Sequence, residues 1–185
     1  MNHIEFKIIP SDDYERLYEY MLRDFPQPGE LAPFHAIRRN LESGRYEGFY
    51  LYADIEIGYM VVTSADDSGL VFGNYFAVHP ELRSKGFGRV FLNSVIEKYR
   101  GHSFVIEVSD PAAQKSPELR DEALKRIRFY ESAGFIIAPT VKCKIYGADM
   151  LVMTTNIYES FSAREAMLSL YNHSSASDNI DIVDI

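Results

Sequence analysis

The chain contains no tryptophan and only one cysteine in 185 residues. A single thiol, Cys143, cannot close an internal disulfide or build a cysteine-based metal site. Lys142 and Lys144 flank it and would favour a thiolate, but the alternation of TVKCKIY reads more simply as a strand. The five histidines (His3, His35, His79, His102 and His173) are scattered, with no HExxH or similar ligand spacing, so no metal is expected. No apolar run approaches the ~18 residues of a membrane-spanning helix. The opening MNHIEFKIIPSDD is too polar for a secretion signal, so a reducing cytoplasm is the expected compartment. Basic residues are also in short supply: 19 Lys and Arg face 27 Asp and Glu, a net charge of −8. That balance disfavours nonspecific binding to nucleic acid or to an anionic membrane, and neither is expected as a partner.

What is present suffices for a stable core. Hydrophobic residues make up 46% of the chain, and a chain of this length buries roughly 70% of its unfolded surface without staples. IEFKIIP alternates and stops at Pro10, as a strand does. Asp12 and Glu15 form a capping-box-like start. Tyr14, Leu17, Tyr18, Met21, Leu22 and Phe25 then recur at helical spacing. A second helix is expected from Leu31 or Pro33 to Glu42. GFYLYAD, IEIGYMVVTSADDSG and LVFGNYFAVHP read as a meander of three strands. GRVFLNSVIEKY is an amphipathic helix, HSFVIEVSDP a buried strand, AAQKSPELR a loop, and DEALKRIRFYESAGF a helix opening on acids and closing at Gly134. Two strands near FIIAPTVK and ADMLVMTTN complete the set. Ile157–Tyr171 could form a terminal helix that packs on a partner subunit, and the acidic SSASDNIDIVDI reads as a flexible tail. The order implies an α+β fold in which the strand ending at Val78 and the strand carrying Glu107 are parallel neighbours joined by a crossover helix.

Chemistry concentrates in one turn. Arg83-Ser84-Lys85-Gly86-Phe87-Gly88 lies between a strand and a helix, and with Arg89 it sets three cations in an acidic chain. Glycines let backbone approach a ligand, and successive N–H groups at a helix N-terminus favour a phosphate. It is neither a Walker A loop, since no glycine precedes Gly86 at the required distance, nor a dinucleotide fingerprint, since Phe91 stands where the third glycine belongs.

The segment NYFAVHPELRSKGFGRVFLNSVIEKY resembles motif A of the GNAT family of N-acetyltransferases, with its [RQ]xxGx[GA] signature after a strand. RIRFYESAGF resembles the same family's motif B, in which a helix ends in a tyrosine before an aromatic-glycine turn. The resemblance covers about residues 3–156. It implies a single GNAT-like domain over residues 1–156, a central twisted mixed sheet of six to seven strands splayed between the fourth and fifth, about four flanking helices, and a C-terminal extension over 157–185. It implies acetyl-CoA as acyl donor. The backbone of Phe76, Ala77 and Val78 would bind the pantetheine arm, and the amides of Arg83, Ser84, Lys85, Gly86, Phe87, Gly88 and Arg89 would hold the pyrophosphate. Tyr130 matches the position whose phenol protonates the departing thiolate. Ala123 stands where family helices often carry a cofactor-contacting asparagine.

The implied activity is N-acetyl transfer to a primary amine, on a small molecule or on a peptide or protein, by direct attack on the thioester. Glu107 is the first candidate for general base, because a carboxylate in an apolar strand is costly unless paired or facing a cleft. A structural pairing with Arg126 or Arg128 is the competing account. Asp110 could meet a cationic acceptor, His79 is a weaker base candidate expected at the surface, and Asn74 and Tyr75 line either the acceptor side or the core. The loop Phe25–Pro33 and the region Thr140–Asp149 are expected to border the acceptor. The alternative to an enzyme is a non-catalytic acyl-CoA-binding sensor of the same fold. A homodimer is compatible with either.

Overall fold

The computed structural model describes residues 4–26, 30–65, 69–145, 147–155 and 180–184. Along them run β1 (Glu5–Ile8), α1 (Tyr14–Asp24), α2 (Phe34–Glu42), β2 (Glu47–Ala53), β3 (Ile55–Ala65), β4 (Leu70–Val78), α3 (Phe87–Lys98), β5 (Ser103–Ser109), α4 (Pro117–Glu131), β6 (Ile136–Ile145), β7 (Ala148–Thr154) and β8 (Ile180–Asp184). The fold is mixed α+β, with four helices and an eight-stranded sheet in the order β1-β2-β3-β4-β5-β7-β6-β8 among the described residues. The expected six to seven strands were one or two too few. Ile180–Asp184, read from composition as part of a flexible tail, pairs antiparallel with β6 instead. Ladder hydrogen bonds are made by the backbone, so an acidic composition does not prevent a short segment from pairing with an open sheet edge. The expected helix over Ile157–Tyr171 lies outside the described residues.

The chain divides into two compact units, Met1–Ser64 with Gly73–Lys98, and Ala65–Phe72 with Tyr99–Ile185. In the first, β1, β2 and β3 form an antiparallel meander. Its core gathers Ile9, Leu17, Met21, Ile37, Leu41, Tyr46, Tyr50, Tyr59 and Val61. Leu17 and Met21, four residues apart, carry the buried face of α1, whereas Leu22, expected on that face, is exposed. β3 approaches β4 unusually closely at Gly58: a Cβ there would lie 2.1 Å from the Ala77 carbonyl oxygen. On its other side Gly58 pairs with Leu51, next to a register shift in β2. A strand glycine placed so is what lets two backbones come together.

In the second unit, Leu70–Phe72 of β4 pairs in parallel with Ser103–Val105 of β5, as the crossover predicts. β5 then pairs antiparallel with β7, and β7 with β6. α4 begins earlier than its acidic run suggests. Ser116 caps it, accepting from the Leu119 N–H at 3.3 Å, and Pro117 takes the first helical position. Ile127 of α4 is buried, as are Phe104, Ile106 and Val108 of β5, Phe135, and Met153 of β7.

Candidate active site

In the first unit the chain leaves β4 at His79, makes a short turn over Pro80–Leu82, and enters the 83–88 segment before α3. Ser84 and Gly86 both take left-handed backbone, φ 61° and 88°. This strains Ser84, because non-glycine residues rarely go there. Left-handed residues at alternate positions turn successive amides toward one side. Arg83 N–H donates to Pro80, and the amides of Arg89 and Val90 donate to Gly86. The amides of Ser84, Lys85, Gly86, Phe87 and Gly88 donate to no carbonyl among the described residues. Five neighbouring donors without acceptors at a helix N-terminus suit an anion with several oxygens, such as a pyrophosphate. Nothing lies within 4 Å of a Cβ built at Gly86, so Gly86→Ala should be resisted by its torsion alone. We expect a cost of about 1 kcal/mol, read as a lower urea midpoint with unchanged m-value.

The three cations of the turn are not equivalent. Lys85 and Arg89 are exposed. Arg83, also exposed, bridges two acceptors: its Nε donates to the Val78 carbonyl at 2.9 Å and a terminal nitrogen to Asp24 Oδ1 at 2.5 Å. Phe76 packs its ring on Phe91 of α3, centroids 4.3 Å apart. Asn74 donates to Thr63 Oγ1 at 2.8 Å. Tyr75 and Tyr18 grip the connection between α1 and α2 from both sides: the Tyr75 hydroxyl accepts from the Ala32 N–H and the Tyr18 hydroxyl donates to the Ala32 carbonyl, both at 3.2 Å. Residues 27–29 of that connection lie outside the described residues.

His79, expected at the surface, is buried at 6% exposure. Its Nδ1 accepts from Arg23 at 3.3 Å, so its proton sits on Nε2 and is donated to Glu56 at 3.0 Å. Glu56 also receives Arg16 and the Tyr52 hydroxyl. Sequence reading missed this network and Asp24 within it. One signal was available, since an acid at the last residue of α1 opposes the helix dipole and calls for compensation elsewhere.

The second unit holds the other candidates. Glu107 sits opposite Val152 of β7, its carboxylate accepting from the Cys143 thiol of β6 at 3.3 Å. Burial pushes the Glu107 carboxyl up to about 8, and the thiol hydrogen bond pulls only weakly the other way. Glu107 forms no ion pair with Arg126 or Arg128 among the described residues, and Arg128 Nε donates to the Leu124 carbonyl instead. Burial also raises the Cys143 thiol, reinforced by the Glu107 charge, so this cysteine is inert. Asp110 is occupied by Lys142 Nζ and the Ala112 N–H, each at 2.8 Å. Tyr130, one residue before the end of α4, packs between Phe129 and Phe135 at 5.2 and 5.5 Å. Burial raises its phenol above the ordinary value, against a small opposing effect of Arg126. No cluster of metal-ligating residues occurs among the described residues.

The acetyltransferase domain of the GNAT family matches residues 45–137, a span that contains both the 83–88 turn and Tyr130. The chain belongs to the GNAT family. Its fold recurs in a protein from Bacteroides thetaiotaomicron assigned as a GNAT-family acetyltransferase, at TM-score 0.76 and 22% identity over 91% of this chain and 96% of that one. The Vibrio cholerae spermidine N-acetyltransferase, solved in complex with CoA and spermine, aligns at TM-score 0.60 and 14% identity, covering 82% of this chain and 94% of its own. A Bacillus subtilis acetyltransferase in complex with CoA aligns at TM-score 0.58 and 20% identity over 85% and 100% of the two chains. No curated protein matches the chain significantly.

Proposed function

We propose that this protein is an N-acyltransferase that moves the acetyl group of acetyl-CoA to a primary amine. The observation that carries the reading is the 83–88 turn, with five unsatisfied amides at the start of α3 and Lys85 and Arg89 exposed beside them. Such a turn binds the pyrophosphate of coenzyme A, and the CoA present in two of the similar structures supports that ligand. In the transfer, the amine nitrogen bonds to the thioester carbon, the C–S bond breaks, and the thiolate takes a proton from Tyr130. A phenol raised by burial keeps its proton until a strong base such as a thiolate arrives. Glu107 accepts the proton lost by the amine, directly or through water. Pushed up to about 8, it is a stronger base than an ordinary carboxylate.

The acceptor is a small or macromolecular amine. Spermine and spermidine lead the panel to be tried because one similar enzyme acts on spermidine. The deciding experiment is a calorimetric titration with coenzyme A, followed by thiol release from acetyl-CoA across that panel. Coenzyme A binding with thiol release for at least one amine is expected. Binding without release for any amine would replace the enzyme with an acyl-CoA sensor, and no binding would remove both. Tyr130→Phe should lower kcat by about 10²–10³-fold, the scale of a lost general acid, with coenzyme A still bound. An unchanged kcat would take that role from Tyr130.

A further inference from the structure

We propose that Asp24 is a positioning residue for acyl-donor binding, and that Arg83 serves as a strut for the turn instead of a cation on the phosphates. This rests on the turn binding coenzyme A, as proposed above. Asp24 lies at the end of α1 with 2% of its side chain exposed. Its two carboxylate oxygens receive four donor contacts: Arg23 Nε at 3.2 Å and a terminal Arg23 nitrogen at 2.8 Å, the Tyr59 hydroxyl at 3.1 Å, and Arg83 at 2.5 Å. Burial pushes this carboxyl up, but the arginines and the tyrosine hydroxyl outweigh it and hold it below the ordinary range. It is therefore a fixed anion, and nothing about the helix end calls for one there.

What it holds is the first residue of the turn. Arg83 uses one edge of its fork on the Val78 carbonyl and another on Asp24, which ties the end of β4 to the end of α1. The next residue, Ser84, is the strained one, and a strained backbone persists only where its surroundings over-determine it. Arg23 braces the same carboxylate from behind and reaches His79, which Glu56 holds in turn. The side chain that the charge count assigns to the anion is thus spent on holding the amides in place. Lys85 and Arg89 are the charges that meet it.

Calorimetric titration of coenzyme A into the wild type, Asp24→Asn, Arg83→Met, Arg83→Lys and the Asp24→Asn/Arg83→Met double variant tests this. Wild-type binding is the control: its absence would overturn the proposed function, whereas a bound wild type puts only the strut in question. We expect each single variant to weaken binding about tenfold, and the double variant no more than that, because both remove one tie. Arg83→Lys should do no better than Arg83→Met, since an ammonium cannot span two acceptors as the fork does. The ratio of kcat/KM for acetyl-CoA to that for S-acetylpantetheine, which lacks the pyrophosphate, should fall about tenfold. A general folding defect would lower both values and leave the ratio unchanged. Wild-type affinity in Arg83→Lys, tighter or unchanged binding in Asp24→Asn, or additive losses in the double variant would each show Arg83 acting directly on the anion and overturn the proposal. Should Asp24→Asn fail to fold, the comparison of lysine with methionine at position 83 decides alone.

Discussion

Gly58→Ala is expected to destabilise the protein by about 3 kcal/mol, toward the upper end of what overpacking a well-packed interior costs. The added methyl would stand 2.1 Å from the Ala77 carbonyl oxygen and 3.0 Å from Val78 Cα. Both obstacles are backbone, so no rotamer change relieves them and the strands must part. Ile57, next along β3, accepts the His79 N–H at 2.9 Å, so the displacement reaches the ladder just before the turn. The loss should appear as a lower urea midpoint, with weaker coenzyme A binding in the folded protein because Ala77 and Val78 border that ligand in the proposed reading. A wild-type midpoint would mean that this close approach is softer than its geometry indicates.

The second large effect concerns Glu107 and has a definite sign. Its carboxyl stands at about 8 in the folded protein against an ordinary value of 4.5. Between those values the folded chain holds a proton that the unfolded chain has released. Stability therefore falls as pH rises from about 4.5 to 8 and levels off above. Glu107→Gln keeps the shape and the acceptor for the Cys143 thiol but removes the titration. The variant should match the wild type near pH 4 and exceed it at pH 8.5 by an amount on the order of a few kcal/mol, measured by urea unfolding across that range. As the base of the proposed reaction, the same residue should give the wild type a kcat/KM that climbs through about pH 8. The variant should be slow and lack that climb. A stability difference independent of pH would mean that burial does not govern this carboxyl. A wild-type pH–rate profile in the variant would take the role of base away from Glu107.

These two residues differ in how far they could be read in advance. Glu107 was visible as a charge interrupting FVIEVS, costly unless paired or facing a cleft, but the partner it meets was not legible. Arg126 and Arg128 were the natural candidates by charge, whereas the contact is a thiol 36 residues away, reached across the intervening strand β7. Gly58 drew no notice because a glycine in a strand says nothing of which backbone lies against it. α1 was legible from its spacing, yet Leu22 faces solvent, since a helix offers several apolar residues and packing chooses among them. β8 was obscured by its acidic surroundings, and the adjacent Ile182 and Val183 break the alternation that would have marked a strand.

The sequence by itself determined the order of helices and strands as far as β7, the glycine-bearing turn at 83–88 between a strand and a helix, and membership of the GNAT family. Each is written in residues close together in the chain: a period of 2 or 3.6, a cap, or glycines at fixed offsets. Tertiary structure alone decided what the charged side chains do. Arg83 was counted with the cations of the turn, and nothing in the sequence shows that its side chain also meets Asp24, 59 residues earlier. His79 was placed at the surface, and it lies buried between Arg23 and Glu56. The reason is physical: periodicity follows from backbone geometry and survives in the linear pattern, whereas the partner of an ion is set by which elements the fold brings within about 3 Å.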